Sequence, residues 1–169
     1  MFEKGDYILY ETIGVCQVRE ISRLEFLKNG RIYYSITPVF EKDTVIYVPV
    51  DNDKVKMRPI MTKDEAEDFV DSMPGIESYR QLNDKERPQV YKEVLMSGDR
   101  LEWASMIKSV FEMRQTRKLK GGKLAIRDEE SMKKAEKLLY GELAAALGLQ
   151  PHQVPEYIEN RLSVSMTET

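Results

Sequence analysis

A strongly basic segment in the second half of the chain is the clearest candidate for a functional surface. Six of the fourteen residues from Arg114 to Arg127 are Lys or Arg and none is acidic, whereas the whole chain has 26 Lys and Arg against 29 Asp and Glu. Clustered cations in an acidic protein suit contact with phosphate groups, and Gly121-Gly122 lets the backbone approach a ligand closely. The charges alone are equally consistent with a solvated helix end, where cations complement the helix dipole.

The other residues that could support chemistry are too few for an enzyme. His152 is the only histidine and Cys16 the only cysteine, so a zinc site lacks nitrogen and sulfur ligands and an intrachain disulfide is excluded. A Cys16–His152 pair has no local catalytic signature, and no glycine-rich nucleotide-binding motif is present. We therefore expect no enzyme, no cofactor and no metal, with Cys16 packed in a strand and Trp103 packed in the core.

The composition is that of a folded protein. Hydrophobic residues make up 41% of the 169 residues, which is enough for a packed core. No segment approaches the roughly 20 apolar residues of a membrane helix, and the N-terminus lacks the apolar stretch of a signal peptide. We expect a cytoplasmic monomer with no membrane contact and no small-molecule substrate.

The N-terminal part of the chain has the composition of short β-strands. Val, Ile, Tyr and Thr are concentrated in GDYILYE, GVCQVREI, RIYYSITPVF and TVIYVPV, and turn-forming residues separate these runs. Asn29-Gly30 lies between two of the runs and predicts a tight hairpin. Four short strands cannot form a two-sheet sandwich, so we expect a small bent sheet whose open edge can pair with a partner strand.

Helical signals dominate from Thr62 onward. A capping-box pattern occurs twice, in TKDE and NDKE, and glycines follow the later apolar stretches. Predicted N-terminal caps are Thr62, Asn83, Asp99 and Asp128, and predicted stops are Gly98, Gly121 and Gly148. A short last helix is expected within PHQVPEYIENRL, followed by a frayed tail, SVSMTET.

The predicted elements place the basic segment at a helix–helix connection. In the third helix, the spacing of Leu101, Ala104, Ile107 and Phe111 predicts an inward face. The basic segment then occupies the end of this helix and the loop to the fourth. The predicted fold class is α+β with two domains, a small bent antiparallel β-sheet at residues 1–55 and an all-α helical bundle at residues 60–169.

Four short motifs follow one another along the chain. They are FEKGDYILY at residues 2–10, VPVDN at 48–52, YKEVLMSGD at 91–99 and KAEKLLYGEL at 134–143. Their order, in a β module followed by a helical module, resembles the CarD/CdnL family of bacterial transcription regulators over nearly the whole chain. No ATPase motif is present, so the chain is similar to the free-standing regulators rather than to the related translocase.

The resemblance implies a partner for each module. The N-terminal module would be a Tudor-like RNA polymerase interaction domain that docks on the β subunit, partly by pairing at the sheet edge. The helical module would contact promoter DNA near the upstream edge of the transcription bubble and modulate open-complex formation. The expected polymerase-binding residues are Arg23, Leu24, Ile46, Tyr47 and Pro49. The expected DNA-binding residues are Arg87, Lys92, Arg117, Lys118, Lys120, Lys123 and Arg127.

Two positions depart from the family pattern. Many members have a tryptophan that wedges into the minor groove four residues before the Tyr of YK, and this chain has Arg87 there. Some members have a basic residue before the Val-Pro of the last strand, and this chain has Tyr47. An arginine suits a narrow groove or a phosphate better than an apolar wedge.

Two other functions are consistent with the residues. An RNA-binding module is one, since small bent sheets also bind RNA, but residues 1–55 have seven Lys and Arg against nine Asp and Glu. The other is a purely protein–protein adaptor, in which the basic segment is only a solvated helix end. A preference for single-stranded RNA would favour the first, and no effect of the loop charges would favour the second.

Overall fold

An antiparallel sheet is followed by helices. The computed structural model describes residues 1–41, 43–79 and 82–167, which form five strands and five α-helices. The strands are β1 (Tyr7–Tyr10), β2 (Gly14–Arg23), β3 (Ile32–Pro38), β4 (Ile46–Pro49) and β5 (Met57–Pro59). The helices are α1 (Lys63–Ser72), α2 (Arg87–Met96), α3 (Arg100–Leu119), α4 (Ile126–Leu147) and α5 (Val154–Thr167). The predicted α+β class, with the sheet before the helices, is confirmed.

The sheet has the strand order β4-β3-β2-β1-β5, so β4 and β5 are its edges. The register of β2 against β3 shifts between Val18 and Glu20, and such a bulge bends a strand and increases its twist. The bent sheet encloses a small core of its own, formed by Ile8, Cys16, Val18, Tyr34, Ile36 and Val48. The predicted packing of Cys16 is confirmed, and burial raises the pKa of its thiol to about 12.

The predicted set of four strands omits β5. Met57–Pro59 is short and contains a proline, which cannot donate to a strand ladder, and we expected a connection here. In the structure Ile8 pairs with Pro59 and Tyr10 with Met57. A proline is tolerated because β5 is an edge strand. The sheet therefore continues beyond residue 55, the predicted end of the first domain.

The predicted tight hairpin at Asn29-Gly30 is wrong. The connection from β2 to β3 spans residues 24–31 and contains a short 3-10 turn, Glu25–Leu27. Lys28 and Gly30 both have positive φ, at 51° and 69°. The Asn29 side chain donates to the hydroxyl of Tyr33 (2.8 Å) and accepts from the amide of Arg31 (3.0 Å). Asn29-Gly30 thus closes a longer loop instead of forming a two-residue turn.

Several predicted helix ends agree with the structure. The Thr62 hydroxyl accepts from the amide of Glu65 (3.1 Å), and the Asp99 carboxylate accepts from the amide of Leu101 (2.9 Å). Gly148 ends α4 in the left-handed conformation, with φ of 72°. These side chains and this glycine satisfy backbone groups that a helix terminus leaves unpaired.

Other helix ends differ from the prediction. Asn83 accepts from the amide of Glu86 (2.8 Å) but caps a preceding turn, and α2 begins at Arg87. α4 begins at Ile126, so Asp128 lies in its first turn instead of capping it. α5 continues to Thr167, through most of the segment expected to fray; residues 168 and 169 lie outside the described residues.

The predicted inward face of α3 agrees with the structure only in part: Ala104 and Ile107 are half-buried and pack against the core. Leu101 and Phe111 are 53% and 51% exposed, whereas Trp103, Met106 and Val110 are fully buried. The expected core position of Trp103 is confirmed. Both sets of residues repeat at three- and four-residue intervals, so periodicity could not decide between them.

The sheet packs directly on the helices. Leu9, Val15 and Met61 belong to the same buried cluster as the helical core, and Leu138 of α4 lies against Gly14 of β2. This contact joins the two parts through apolar burial, which is the main stabilising term in folding. Among the described helices, none has the length and hydropathy needed to cross a membrane.

Candidate functional site

Strand β4 is an open edge of the sheet. Ile36 pairs with Ile46, Ser35 with Tyr47, and Tyr33 with Pro49. Among the residues that the structure describes, no strand pairs with the other side of β4. An edge strand presents unpaired amide and carbonyl groups to solvent and can extend its sheet with a strand from another chain. The geometry of β4 therefore suits strand addition.

Aromatic side chains lie beside this open edge. Tyr47 is 45% exposed and makes an edge-to-face contact with Phe26, with ring centroids 5.7 Å apart. Phe26 itself is 65% exposed and Val45 is 52% exposed. We call Phe26, Val45 and Tyr47 the edge surface. Large exposed apolar groups that cluster on one surface are typical of protein interaction sites.

The other residues expected to bind polymerase are dispersed around β4. Arg23 is exposed at the end of β2, opposite Ile32, and Leu24 is half-buried at the start of the following turn. Ile46 and Pro49 are half-buried, and Ile46 packs on the core of the sheet. Sequence interpretation did not find Phe26, because the assumed tight hairpin left no 3-10 turn to bring it to Tyr47.

A compact set of cations lies at the α3–α4 connection. Lys118, Lys120, Lys123 and Arg127 are all exposed, and within the described residues none of them forms a salt bridge. We call these four residues and the intervening glycines the cationic tip. The structure thus brings together four of the seven residues expected to bind DNA.

The turn of the cationic tip is ordered by the backbone. The amide of Gly122 donates to the carbonyl of Arg117 (2.8 Å), and the amide of Gly121 donates to that of Lys118 (3.1 Å). With φ of 78° at Gly121, this is a Schellman motif, which favours glycine because the left-handed conformation crowds a Cβ atom. Leu124 is buried and anchors the loop in the helical core.

Arg117 lies beside the cationic tip but is half-buried. Its guanidinium is 3.8 Å from the carboxylate of Asp84. Together with Lys120, Tyr79 and Tyr91, it lines an open cleft of about 660 Å³ between α3 and the segment that precedes α2. Arg117 is therefore a less available phosphate ligand than the four cations of the tip.

Lys92 lies on a different surface, between α2 and α4. It lines a shallow groove of about 510 Å³ together with Lys134 and Lys137 of α4. We call these three residues the lysine groove. Lys137 also contacts Glu41 of the β part at 2.6 Å. Sequence interpretation did not select Lys134 and Lys137, although their spacing from Arg127 (seven and ten residues) places all three along one side of α4.

Arg87 is a buried structural residue. It is only 8% exposed, and its guanidinium donates to both carboxylate oxygens of Asp128 (3.1 and 3.3 Å). Burial acts to lower the pKa of Arg87, but the hydrogen bonds with Asp128 and Asp84 outweigh this effect, so the pKa is raised. The expectation that Arg87 meets DNA in place of a wedge tryptophan does not fit its position, because its donors are already engaged.

Two family models match the chain. The CarD-like/TRCF RID domain matches residues 2–61, which include the whole sheet and the edge surface. The CarD C-terminal domain matches residues 69–159, which include the cationic tip and the lysine groove. A search of curated proteins finds no significant match.

Proposed function

The chain belongs to the CarD/CdnL family of RNA polymerase-interacting transcription regulators, and on this premise we propose how it acts. It docks on the polymerase β subunit through strand β4 and the edge surface. Docking brings the cationic tip and the lysine groove to promoter DNA near the upstream edge of the transcription bubble, where they modulate open-complex formation. The observation that carries the proposal is the match of both family models in the order and at the positions of the two parts.

The edge surface supports docking. Tyr47 and Phe26 present large apolar areas beside a strand with free pairing capacity. Strand addition supplies main-chain hydrogen bonds, and neighbouring side chains supply specificity. Since a tyrosine replaces the basic residue of some family members at position 47, this docking relies on apolar contact more than on ion pairing.

The cationic tip supports DNA contact. None of its four exposed cations forms a salt bridge within the described residues, and residues 113–127 contain no Asp or Glu. Contacts between lysines and phosphates release condensed counterions and bind DNA with little regard to sequence. The lysine groove adds Lys134 and Lys137 on α4, the second of them about 15 Å of helix beyond Arg127, and Lys92 on the facing α2.

Tethering connects the two activities. A net charge of -3 limits indiscriminate binding to nucleic acid, so the cationic tip alone binds DNA weakly. Docking on polymerase raises the local concentration of the tip at the promoter, and neither surface needs high affinity alone. The packed contact between sheet and helices holds the two surfaces in one orientation, which lowers the entropy cost of binding both partners.

The docking half is tested with the full chain and purified polymerase β subunit. The variant with Phe26→Ala and Tyr47→Ala should bind at least about tenfold more weakly, since aromatic anchors commonly dominate interface energetics. Tyr7→Ala is the matched control, because Tyr7 is 44% exposed on β1 and Tyr47 is 45% exposed. Equal binding by both variants would reject the edge surface as the docking site.

The DNA half is tested by open-complex formation on promoter DNA with polymerase present. Lys118→Ala, Lys120→Ala and Lys123→Ala combined should remove most of the effect of the protein on the open complex. A matched variant with Lys54→Ala, Lys56→Ala and Lys63→Ala makes the same change in net charge at other exposed lysines. If the two triple variants behave alike, the cationic tip does not contact DNA.

A further inference from the structure

Two large apolar side chains project into solvent at the cationic tip. Leu119 is 89% exposed at the end of α3, and Ile126 is 75% exposed at the start of α4. In the described helical part, these are the most exposed of the large hydrophobic residues. Single exposed apolar residues are ordinary on a protein surface, but here two of them flank the same short turn.

Their exposure is not the result of a loose loop. The Schellman hydrogen bonds of Gly121 and Gly122 fix one side of the turn, and burial of Leu124 fixes the other. The fold therefore turns Leu124 inward and leaves Leu119 and Ile126 outward on ordered backbone. Side chains held in this way lose little conformational freedom when they meet a partner.

The surroundings restrict the partner's chemistry. Lys118 and Lys120 flank Leu119, and Arg127 follows Ile126, so each apolar group lies next to a cation. A fitting partner must present negative charge and an apolar face within a few ångströms of each other. Nucleic acid meets both conditions where bases are unstacked, since the base face lies beside the phosphate backbone.

An anionic lipid surface is a poorer fit. A helix that lies on a membrane needs a continuous apolar face. The last turns of α3 instead contain Arg114, Gln115, Thr116 and Arg117 before Leu119. One or two apolar side chains on a rigid hairpin are typical of proteins that insert between base steps.

We propose that Leu119 and Ile126 contact unstacked bases at a junction between paired and unpaired DNA, with the cations of the tip on the flanking phosphates. This contact rests on the proposed function, since it refines how the cationic tip meets promoter DNA. It gives the tip a preference for opened DNA over duplex. The apolar contact then comes from the α3–α4 turn and not from the position of Arg87, whose side chain is buried.

The experiment compares binding of the full chain to two fluorescent DNAs, a duplex and the same duplex with a short internal stretch of mismatched bases. Wild type should bind the mismatched DNA more tightly. Leu119→Ala with Ile126→Ala should bind the mismatched DNA about tenfold more weakly, the effect of burying one or two such side chains, and the duplex almost unchanged. Both sites are exposed and alanine is a good helix former, so folding should be retained.

Two further variants separate the possible outcomes. Leu101→Ala removes a half-exposed leucine at the far end of α3, about 27 Å from Leu119 along the helix. This variant should bind both DNAs like wild type. The triple lysine variant of the tip should weaken binding to both DNAs. If it does so while Leu119→Ala with Ile126→Ala keeps the preference for mismatched DNA, the apolar contact is wrong and the DNA contact stands.

Other outcomes would reject the DNA contact of the cationic tip or assign the apolar pair to a different partner. If the triple lysine variant binds both DNAs like wild type, the tip does not contact DNA and the proposed function fails at this surface. If Leu119→Ala with Ile126→Ala weakens binding to anionic vesicles but not to mismatched DNA, the apolar pair serves a membrane surface instead. Tighter binding of single-stranded RNA than of mismatched DNA, lost in the same variant, would reassign the pair to RNA.

Discussion

Arg58 of the edge strand β5 donates two hydrogen bonds of 2.7 Å to the carboxylate of Glu142, which is wholly buried in α4. The same carboxylate accepts from the backbone amide of Met61 (2.9 Å), and Arg58 also donates to the carbonyl of Gly98 (2.8 Å). The guanidinium lies 5.9 Å from the ring centre of Trp103. The sheet and the helical part are thus joined by a bidentate ion pair as well as by apolar contact.

Replacing Arg58 with alanine should destabilise the whole protein. The change leaves the buried Glu142 carboxylate without its cation, and breaking a buried pair in this way costs about 3 kcal/mol. Urea unfolding followed by the fluorescence of Trp103, the only tryptophan, measures the change. Arg31→Ala is the control, since its pair with Asp51 is exposed on both sides and should contribute little. Equal losses in the two variants would contradict a special role for Arg58.

Arg87 and Asp128 should behave as a coupled structural pair. Arg87→Ala leaves the buried Asp128 carboxylate without its cation and should lower the free energy of unfolding by about 3 kcal/mol. Asp128→Ala should lower it by less, because Asp84 still pairs with Arg87. The loss in free energy of unfolding in the double variant should be smaller than the sum of the losses in the two single variants, with a coupling energy of about 1 to 3 kcal/mol. A double-mutant cycle in urea measures this coupling.

The same variant distinguishes a structural from a DNA-binding role for Arg87. Under conditions in which Arg87→Ala remains folded, it should bind DNA like wild type. The neighbouring Lys85→Ala, at an exposed position, is the control for charge alone. A folded Arg87→Ala protein with selectively weakened DNA binding would restore Arg87 to the DNA surface.

Sequence patterns predict local features of this protein better than its long-range pairs. Thr62, Asp99 and Gly148 act within one turn of their own positions, so their roles follow from residue type. Arg58 and Glu142 are 84 residues apart, and nothing local to either residue indicates that they meet. A single carboxylate within the apolar stretch LLYGELAAAL at residues 138–147 is the one available signal, since such a group needs a partner when it is buried.

In the candidate site, too, local features follow from the sequence and long-range contacts do not. Clustering in the sequence was enough to find the cationic tip, whose four cations lie within ten residues. It could not find the edge surface, because Phe26 reaches Tyr47 only through a loop whose shape depends on Lys28 and Gly30. The type of Arg87 and its place in a family motif indicate a DNA contact, whereas its burial depends on Asp128, 41 residues away.

The buried thiol of Cys16 predicts a loss of stability at alkaline pH. Its pKa is about 12 in the folded chain against an ordinary value of 9.0, because burial disfavours the thiolate. This contribution to stability is fully present below pH 9.0 and is lost as the pH rises through 12. The free energy of unfolding, measured in urea just below and well above pH 9.0, should decline less with rising pH in Cys16→Ala than in wild type. Parallel declines would mean that Cys16 is not the group responsible.

The two proposed surfaces should respond differently to salt. Docking through Phe26 and Tyr47 depends on apolar contact and strand pairing, so added potassium chloride should change affinity for the polymerase β subunit only slightly. DNA binding by the cationic tip should weaken steeply, with a slope of log K against log salt of roughly -3 to -4 for four phosphate contacts. Removal of Lys118, Lys120 and Lys123 should flatten that slope by about 3. Titrations of each partner at several salt concentrations measure both slopes. A steep slope for the β subunit would place the docking contact on charges such as Arg23 rather than on the edge surface.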